Sequence, residues 1–330
     1  MDTIAPKPDT ATRPPLLRIS QENQPILVAA GFILVILAVG TAYTLSTQGS
    51  ATLLSPTYLL QQLQVGSFLG IVAAGMMLVI LLGHIDLSVP WTIAAAAMMA
   101  TAVGGPAAIP VGLAVGLTVG LVNGMGVAYL RIPSMIFTLG VNAVMRGLMV
   151  AHTGGFAPQT AATDLMQWLA VAKIFGIPVA LLVWATVSIG MVVLLNRTSV
   201  GKYIYAIGNK EAAAYLAGVP TRGIIVLAFG LCGMAAGLAG TLLAGYSTKA
   251  YQGMGDAYLL PAIAAVVIGG THILGGRGRY LGTLIGVILI VLLNSVLSIM
   301  QMPEAGRQVI YGSVIILMLL VYGRGTKITQ

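Results

Sequence analysis

Charge is what this sequence most lacks. Only 7% of its 330 residues are Asp, Glu, Lys or Arg, against about 25% in an ordinary soluble domain. With 58% of its residues hydrophobic, such a chain cannot stay dispersed in water, and its solvent is lipid. The single cysteine, Cys232, excludes an intramolecular disulfide; it lies inside an apolar run and reads as packing. There are three histidines. Neither His84 nor His272 has a second His, Cys or carboxylate at ligand spacing, apart from Asp86 beside His84, so no metal site is expected. No nucleophile–base arrangement points to an enzyme. A Gly-x4-Gly-Lys-Ser/Thr phosphate loop is also missing, so the chain has no ATP cradle of that kind.

What is present is a series of long apolar runs: Pro25–Leu45, Gly66–Leu82 with its flanks, Gly223–Gly245 and Tyr280–Met300. Such runs reach the roughly 18 residues that mark a membrane-spanning helix. A closed barrel is the only other way to satisfy backbone groups in lipid, and it needs polar/apolar alternation that these runs do not show. The expected fold is therefore an all-α polytopic membrane protein with about ten transmembrane helices. They are placed near 25–45, 59–82, 87–103, 107–130, 134–151, 177–195, 223–245, 258–271, 280–299 and 306–322. The net charge of +8 could suggest nucleic acid, but its distribution argues for a bilayer. With both termini cytoplasmic, twelve of the sixteen basic residues fall inside. Lys173, Lys249 and Arg307 fall outside, and Arg146 lies within a span. That is the positive-inside bias, and an odd number of spans would destroy it. Residues 1–24 are polar and carry four prolines, reading as a disordered cytoplasmic tail rather than a cleaved signal. The spans form one domain over 25–322, and 323–330 is a second cytoplasmic tail.

Glycine is abundant, at 42 residues, and periodic. Gly112, Gly116, Gly120 and Gly124 fall four apart, as do Gly278, Gly282 and Gly286, the pair Gly233 and Gly237, and the pair Gly66 and Gly70. A glycine every turn makes a groove on one helix face where a neighbouring backbone can approach. A two-half internal repeat is suggested by two glycine-rich turns, at 83–89 and 269–278, each ahead of a glycine-laddered helix that carries an asparagine, Asn123 or Asn294. Between spans, the basic segment 196–222 contains an alanine-rich stretch from Gly208 to Gly218. It reads either as a short helix shaped to dock a partner or as an ordinary interfacial loop helix.

At these residues the chain resembles the ribose, xylose and galactose permeases of binding-protein-dependent ABC importers. The resemblance runs from about residue 60 to 322. It rests on Gly83-His-Ile-Asp-Leu-Ser-Val-Pro90, on Ile132-Pro-Ser-Met-Ile-Phe-Thr-Leu-Gly140 followed by Arg146-Gly147, on Gly201 to Ala213, and on Ala262–Thr271 continuing through Gly275–Gly278 to Gly282–Gly286. His84 and Pro90 stand where the family usually has glycine, and Leu259 and Pro261 stand where ribose-type members often carry acidic residues. The resemblance implies import of a small sugar or related polyol by a dimer of permeases, the second a copy or a paralogue. It also implies cytoplasmic ATPase subunits that hold ATP and Mg, a periplasmic sugar-binding protein, and an inner-membrane location. No cofactor is then expected on this chain. The competing class is a secondary transporter or channel for a small polar solute, which would carry paired ionisable groups mid-span.

Lys210, Glu211, Ala212, Ala213 and Gly218 are the candidate contacts to the ATPase. Gln61, Gln64, Asp86, Ser88, Asn123, Asn142, Arg146 and Asn294 are the candidates for the pathway or its gate. Uncharged amides suit hydroxyl-rich solutes because they donate and accept, and they equally serve as interhelical glue. Asp86 reads either as a functional carboxylate or as the cap of the helix that follows it. Arg146 either snorkels to the outer surface or offers a polar group to the pathway. Gly116, Gly120, Gly278, Gly282 and Gly286 are the candidate packing glycines.

Overall fold

A computed structural model of the chain describes residues 24–156 and 160–323. The tails expected at the two termini lie outside these residues except for Gln24 and Gly323. Thirteen α-helices form the described residues, with one small hairpin. They are α1 (Gln24–Gln48), α2 (Pro56–Leu81), α3 (Val89–Val103), α4 (Ala108–Ala128), α5 (Ser134–Thr153), α6 (Asp164–Val171), α7 (Val179–Arg197), α8 (Ser199–Asn209), α9 (Glu211–Leu216), α10 (Thr221–Ser247), α11 (Leu259–Ile268), α12 (Tyr280–Ile299) and α13 (Glu304–Gly323). The hairpin pairs β1 (Lys173–Ile174) antiparallel to β2 (Ile177–Pro178). Among the described residues, seven helices are long and apolar enough to cross a membrane, and two further apolar helices are shorter.

Helix α2 is the axis of the bundle. Ser55 caps it by accepting from the Tyr58 N–H at 3.2 Å, and Pro56 fills its first turn, where no amide partner is needed. It is apolar on every face, as a helix enclosed by others must be. Its most apolar window is 89% buried, against 11% for α1 and for α5, which therefore lie at the rim.

Glycine decides which helices touch. On α4, a Cβ at Gly116 would meet the carbonyl of Gly233, and one at Gly120 would meet that of Phe229; from α10, Gly233 and Gly237 face the carbonyls of Gly116 and Gly112 in return. The two backbones are in direct contact along this seam, so it admits no side chain. Gly282 and Gly286 of α12 meet the carbonyls of Gly269 and Ala265 in the same way, which seats α12 on α11. Gly278, expected on that helix face, is not on a helix. It lies in the turn before α12 starts at Tyr280, and its neighbour is Thr271. The four-residue spacing continued past the point where helical geometry gives it meaning.

Two other expectations are refined. In both halves a short apolar helix, α3 or α11, precedes a glycine-laddered one, α4 or α12. The glycine turn comes before the short helix in the first half and after it in the second, so the turn is not the repeated unit. The stretch Gly208–Gly218 is not one helix either. Lys210 is extended (φ −162°, ψ 100°) and separates α8 from α9. At the break the Asn209 side-chain amide folds back on the last turn of α8 and donates to the Tyr205 carbonyl at 2.9 Å.

Candidate functional site

The chain bends sharply between α2 and α3. Gly83, at φ 79°, starts the turn, with its N–H donating to the Ile80 carbonyl at 2.8 Å. Residues 82–88 are then non-helical, and their amides need partners inside an apolar bundle. The amides of Leu82, Gly83 and His84 donate back to the last carbonyls of α2, and α5 accepts from two amides of the bend and one in the first turn of α3. Ser134 Oγ accepts from the Ile85 N–H at 3.3 Å, Thr138 Oγ1 from the Leu87 N–H at 2.9 Å, and Asn142 Oδ1 from the Trp91 N–H at 3.4 Å. Residues 134, 138 and 142 are four apart, so they stand on one face of α5. Sequence reasoning selected Asn142 but missed Ser134 and Thr138. The signal was legible as a polar ladder at helical spacing in an otherwise apolar span.

Asp86 closes the bend from the other side. Its Oδ1 accepts from the Ser88 N–H at 2.9 Å, from Ser88 Oγ at 2.6 Å and from Asn123 Nδ2 at 3.2 Å. Asn123 Nδ2 also donates to Ser88 Oγ at 2.7 Å. All three residues are buried, Asp86 being 1% exposed. Among the described residues Asp86 has no ion-pair partner. Its carboxyl group is met by these dipoles at the start of α3. The position immediately before α3 belongs to Ser88, which makes no side-chain capping bond, so Asp86 holds the turn rather than capping the helix directly. Asn123 Oδ1 is buried with no partner. This arrangement fixes a bent backbone and holds no reacting pair. His84 stands at the edge of the bend, its ring 6.0 Å from that of Phe229. Burial holds its pKa below the ordinary histidine value, with nearby Glu211 pulling the other way.

The segment α8–α9 lies at the same end of the bundle. Glu211 pairs with Arg131 in the α4–α5 turn at 2.6 Å. Arg131 adopts φ 57°, the left-handed conformation that carries the chain sharply into α5. Ala214 is buried, whereas Lys210, Ala212, Ala213 and Gly218 are exposed. Tyr215 and Leu216 are also exposed, at 67% and 85%. A six-residue helix that turns two large apolar side chains and two alanines away from the protein is unpartnered on that face.

The remaining candidates are dispersed. Gln64 is buried and donates to the Ala170 carbonyl at 2.8 Å, tying α2 to α6, while Gln61 is exposed. Arg146 is exposed on α5, with its guanidinium 5.9 Å from the Trp91 ring. Asn294 accepts from Arg307 Nη1 at 2.9 Å, beside a cleft of about 110 Å³ lined by Gly66, Tyr258, Glu304 and Tyr311 among others. Asp86, Ser88, Asn123 and Asn142 thus converge on one bend, with Arg146 one turn further along α5. Gln61, Gln64 and Asn294 lie elsewhere.

Residues 58–319 match the family model described as branched-chain amino acid transport system / permease component. The chain is 36% identical over 271 residues to the ribose import permease protein RbsC of Escherichia coli K12, covering 80% of this chain and 84% of that protein. It is 38% identical over 274 residues to the RbsC protein of Bacillus subtilis, covering 81% and 85%. It is 34% identical over 203 residues to the autoinducer 2 import system permease protein LsrC of Yersinia enterocolitica, covering 61% and 56%. No solved structure matches significantly.

Proposed function

Because the chain belongs to the family of transport-system permease components, we propose that it is the membrane-spanning subunit of an ABC importer that carries a small sugar or related polyol inward. The family description names amino acids, but relatives matched over four-fifths of this chain include ribose permeases. The residues favour the second reading. An amino acid presents a carboxylate and an ammonium, which call for charged partners, whereas the polar groups offered here are mainly amides and hydroxyls.

The full architecture proposed is ten spans with both termini cytoplasmic. Seven long helices, the two short apolar helices and α13 supply ten candidates. The sorting of charge supports the orientation, because Arg131, Lys202, Lys210 and Arg277 fall at the end of the bundle that holds the α2–α3 bend, away from Lys173 and Lys249. The chain works as a dimer, with a copy of itself or a paralogue. ATP and Mg are held by separate ATPase subunits, and an external binding protein delivers the solute.

The observation that carries this reading is the unpartnered face of α9. Ala212 and Ala213 allow close approach, and Tyr215 and Leu216 offer apolar area of the kind that anchors an interface. Residues 210–218 are therefore the surface that docks the ATPase, with Lys210 and Gly218 at its margins and Glu211 held by Arg131. The test is to co-express an Ala213→Trp variant with its ATPase. ATPase pull-down and binding-protein-stimulated hydrolysis should both fall, while the membrane fold keeps its thermal stability because no span is altered. Full association and full stimulation would show that this segment is not the docking element.

A further inference from the structure

Behind the docking face, α8 reaches two other parts of the chain. Gly208 packs so closely that a Cβ there would strike the Leu81 carbonyl at the end of α2 and the amide of Gly276. The Gly276 N–H donates to that same Leu81 carbonyl at 2.9 Å. Asn209 Nδ2 donates to the Gly276 carbonyl at 3.3 Å, and the Tyr205 hydroxyl donates to the Gly278 carbonyl at 2.8 Å. A Cβ at Gly275 would meet Gly83, Leu81 and Gly208 together. Three backbones that are distant in sequence, near 81–83, 208–209 and 275–278, thus meet with no side chain between them.

The consequence is mechanical. The α2–α3 bend and the α11–α12 turn are the two places near this end where a long helix meets a short apolar one. Both are clasped by the end of the helix that runs into the docking segment. Backbone contacts without intervening side chains are short and stiff, because no rotamer can absorb a displacement. The ion pair between Glu211 and Arg131 adds a third link, since Arg131 precedes Ser134, which holds the Ile85 N–H. Exposed ion pairs contribute little, so the α8 bonds are the stronger link.

From this junction we infer that Tyr205 and Asn209 are positioning residues for ATP-driven transport. They transmit displacement of the docked segment to the turn at 269–279 and, through Gly276 and Leu81, to the bend that holds Asp86. The inference rests on the docking reading above. Tyr205 is half-buried and the Asn209 amide is engaged by the Tyr205 and Gly276 carbonyls, so their loss should leave docking intact and break its consequence.

The experiment uses the full chain with its ATPase in lipid nanodiscs, comparing hydrogen exchange over residues 269–279 without nucleotide and after trapping with ATP and vanadate. In the wild type, exchange there should change with nucleotide. In Tyr205→Phe with Asn209→Ala, ATPase association and hydrolysis should persist while that change falls by roughly tenfold, the effect of losing two hydrogen bonds on a local equilibrium. Tyr205→Phe alone keeps the ring and should give a smaller loss in the same direction, which serves if the double variant is poorly folded. A nucleotide response of wild-type size in both variants overturns the inference and leaves the docking surface standing. Absence of any response at 269–279 in the wild type, with ATPase bound, also overturns it. If the ATPase does not associate with the wild type through α9, the docking reading fails first and this inference falls with it.

Discussion

Replacing Asp86 tests the central feature of the bend, a carboxylate held by neutral donors at the start of a short helix. Its Oδ1 accepts three hydrogen bonds, from the Ser88 N–H, Ser88 Oγ and Asn123 Nδ2. Each buried donor left without its acceptor costs about 1–3 kcal/mol, but the three bonds share one atom and are not additive. Asp86→Ala should therefore destabilise the chain by about 3–5 kcal/mol, the cost of leaving these buried donors unpartnered. Asp86→Asn keeps an acceptor at the Oδ1 position and should cost about 1–2 kcal/mol. Asn123→Ala removes the donor and also its own unpartnered Oδ1, so it should cost less than Asp86→Ala for a side chain of the same size. In the double variant the losses should fall short of their sum by about 1–2 kcal/mol. The chain supplies its own reporter. Cys232 is its single cysteine and is buried, so a thiol-reactive dye lights up only on unfolding. At about 2 °C per kcal/mol for a chain of this size, Asp86→Ala should lower the midpoint by about 6–10 °C. A midpoint within about 1 °C of wild type, or strictly additive losses, would refute the claim that Asp86 and Asn123 hold the bend together.

The same dye assay tests the glycine contacts. Gly282→Leu drives a side chain into the Gly269 carbonyl and should cost about 1–3 kcal/mol, whereas Gly190→Leu, which meets nothing within 4 Å, should cost almost nothing. Equal midpoints for the two would show that the α11–α12 contact tolerates separation. His84 predicts a pH dependence. Its pKa lies below the ordinary 6.5 because burial disfavours the charged ring, so just below that pH the unfolded chain binds more protons than the folded one. Stability should therefore be flat above pH 6.5 and decline as pH falls through the depressed value. A His84→Gln variant should lose that part of the slope, and an unchanged slope in the variant would assign it to other groups.

The class of the fold was legible because lipid leaves the chain few choices. Where water cannot satisfy a backbone amide, a long apolar run must be a helix, and the runs around α1, α2, α10 and α12 announced themselves by length alone. The residues that converge on the bend were also marked, since Asp86, Ser88, Asn123 and Asn142 are polar groups in apolar surroundings and must find partners. Their common destination was not legible. Asp86 meets Asn123 across 37 positions, and the amides of Ile85 and Leu87 meet Ser134 and Thr138 across about fifty, distances at which local pattern carries no information. Only the packing could show that Gly278 lies outside the helix whose spacing it shares, that Asn209 ends α8 before the alanine stretch begins, and that Gly208, Gly276 and Leu81 touch. Periodicity fixes which residues share a face. Which face meets which is set by where two backbones can approach, and that is decided jointly by glycines on separate helices.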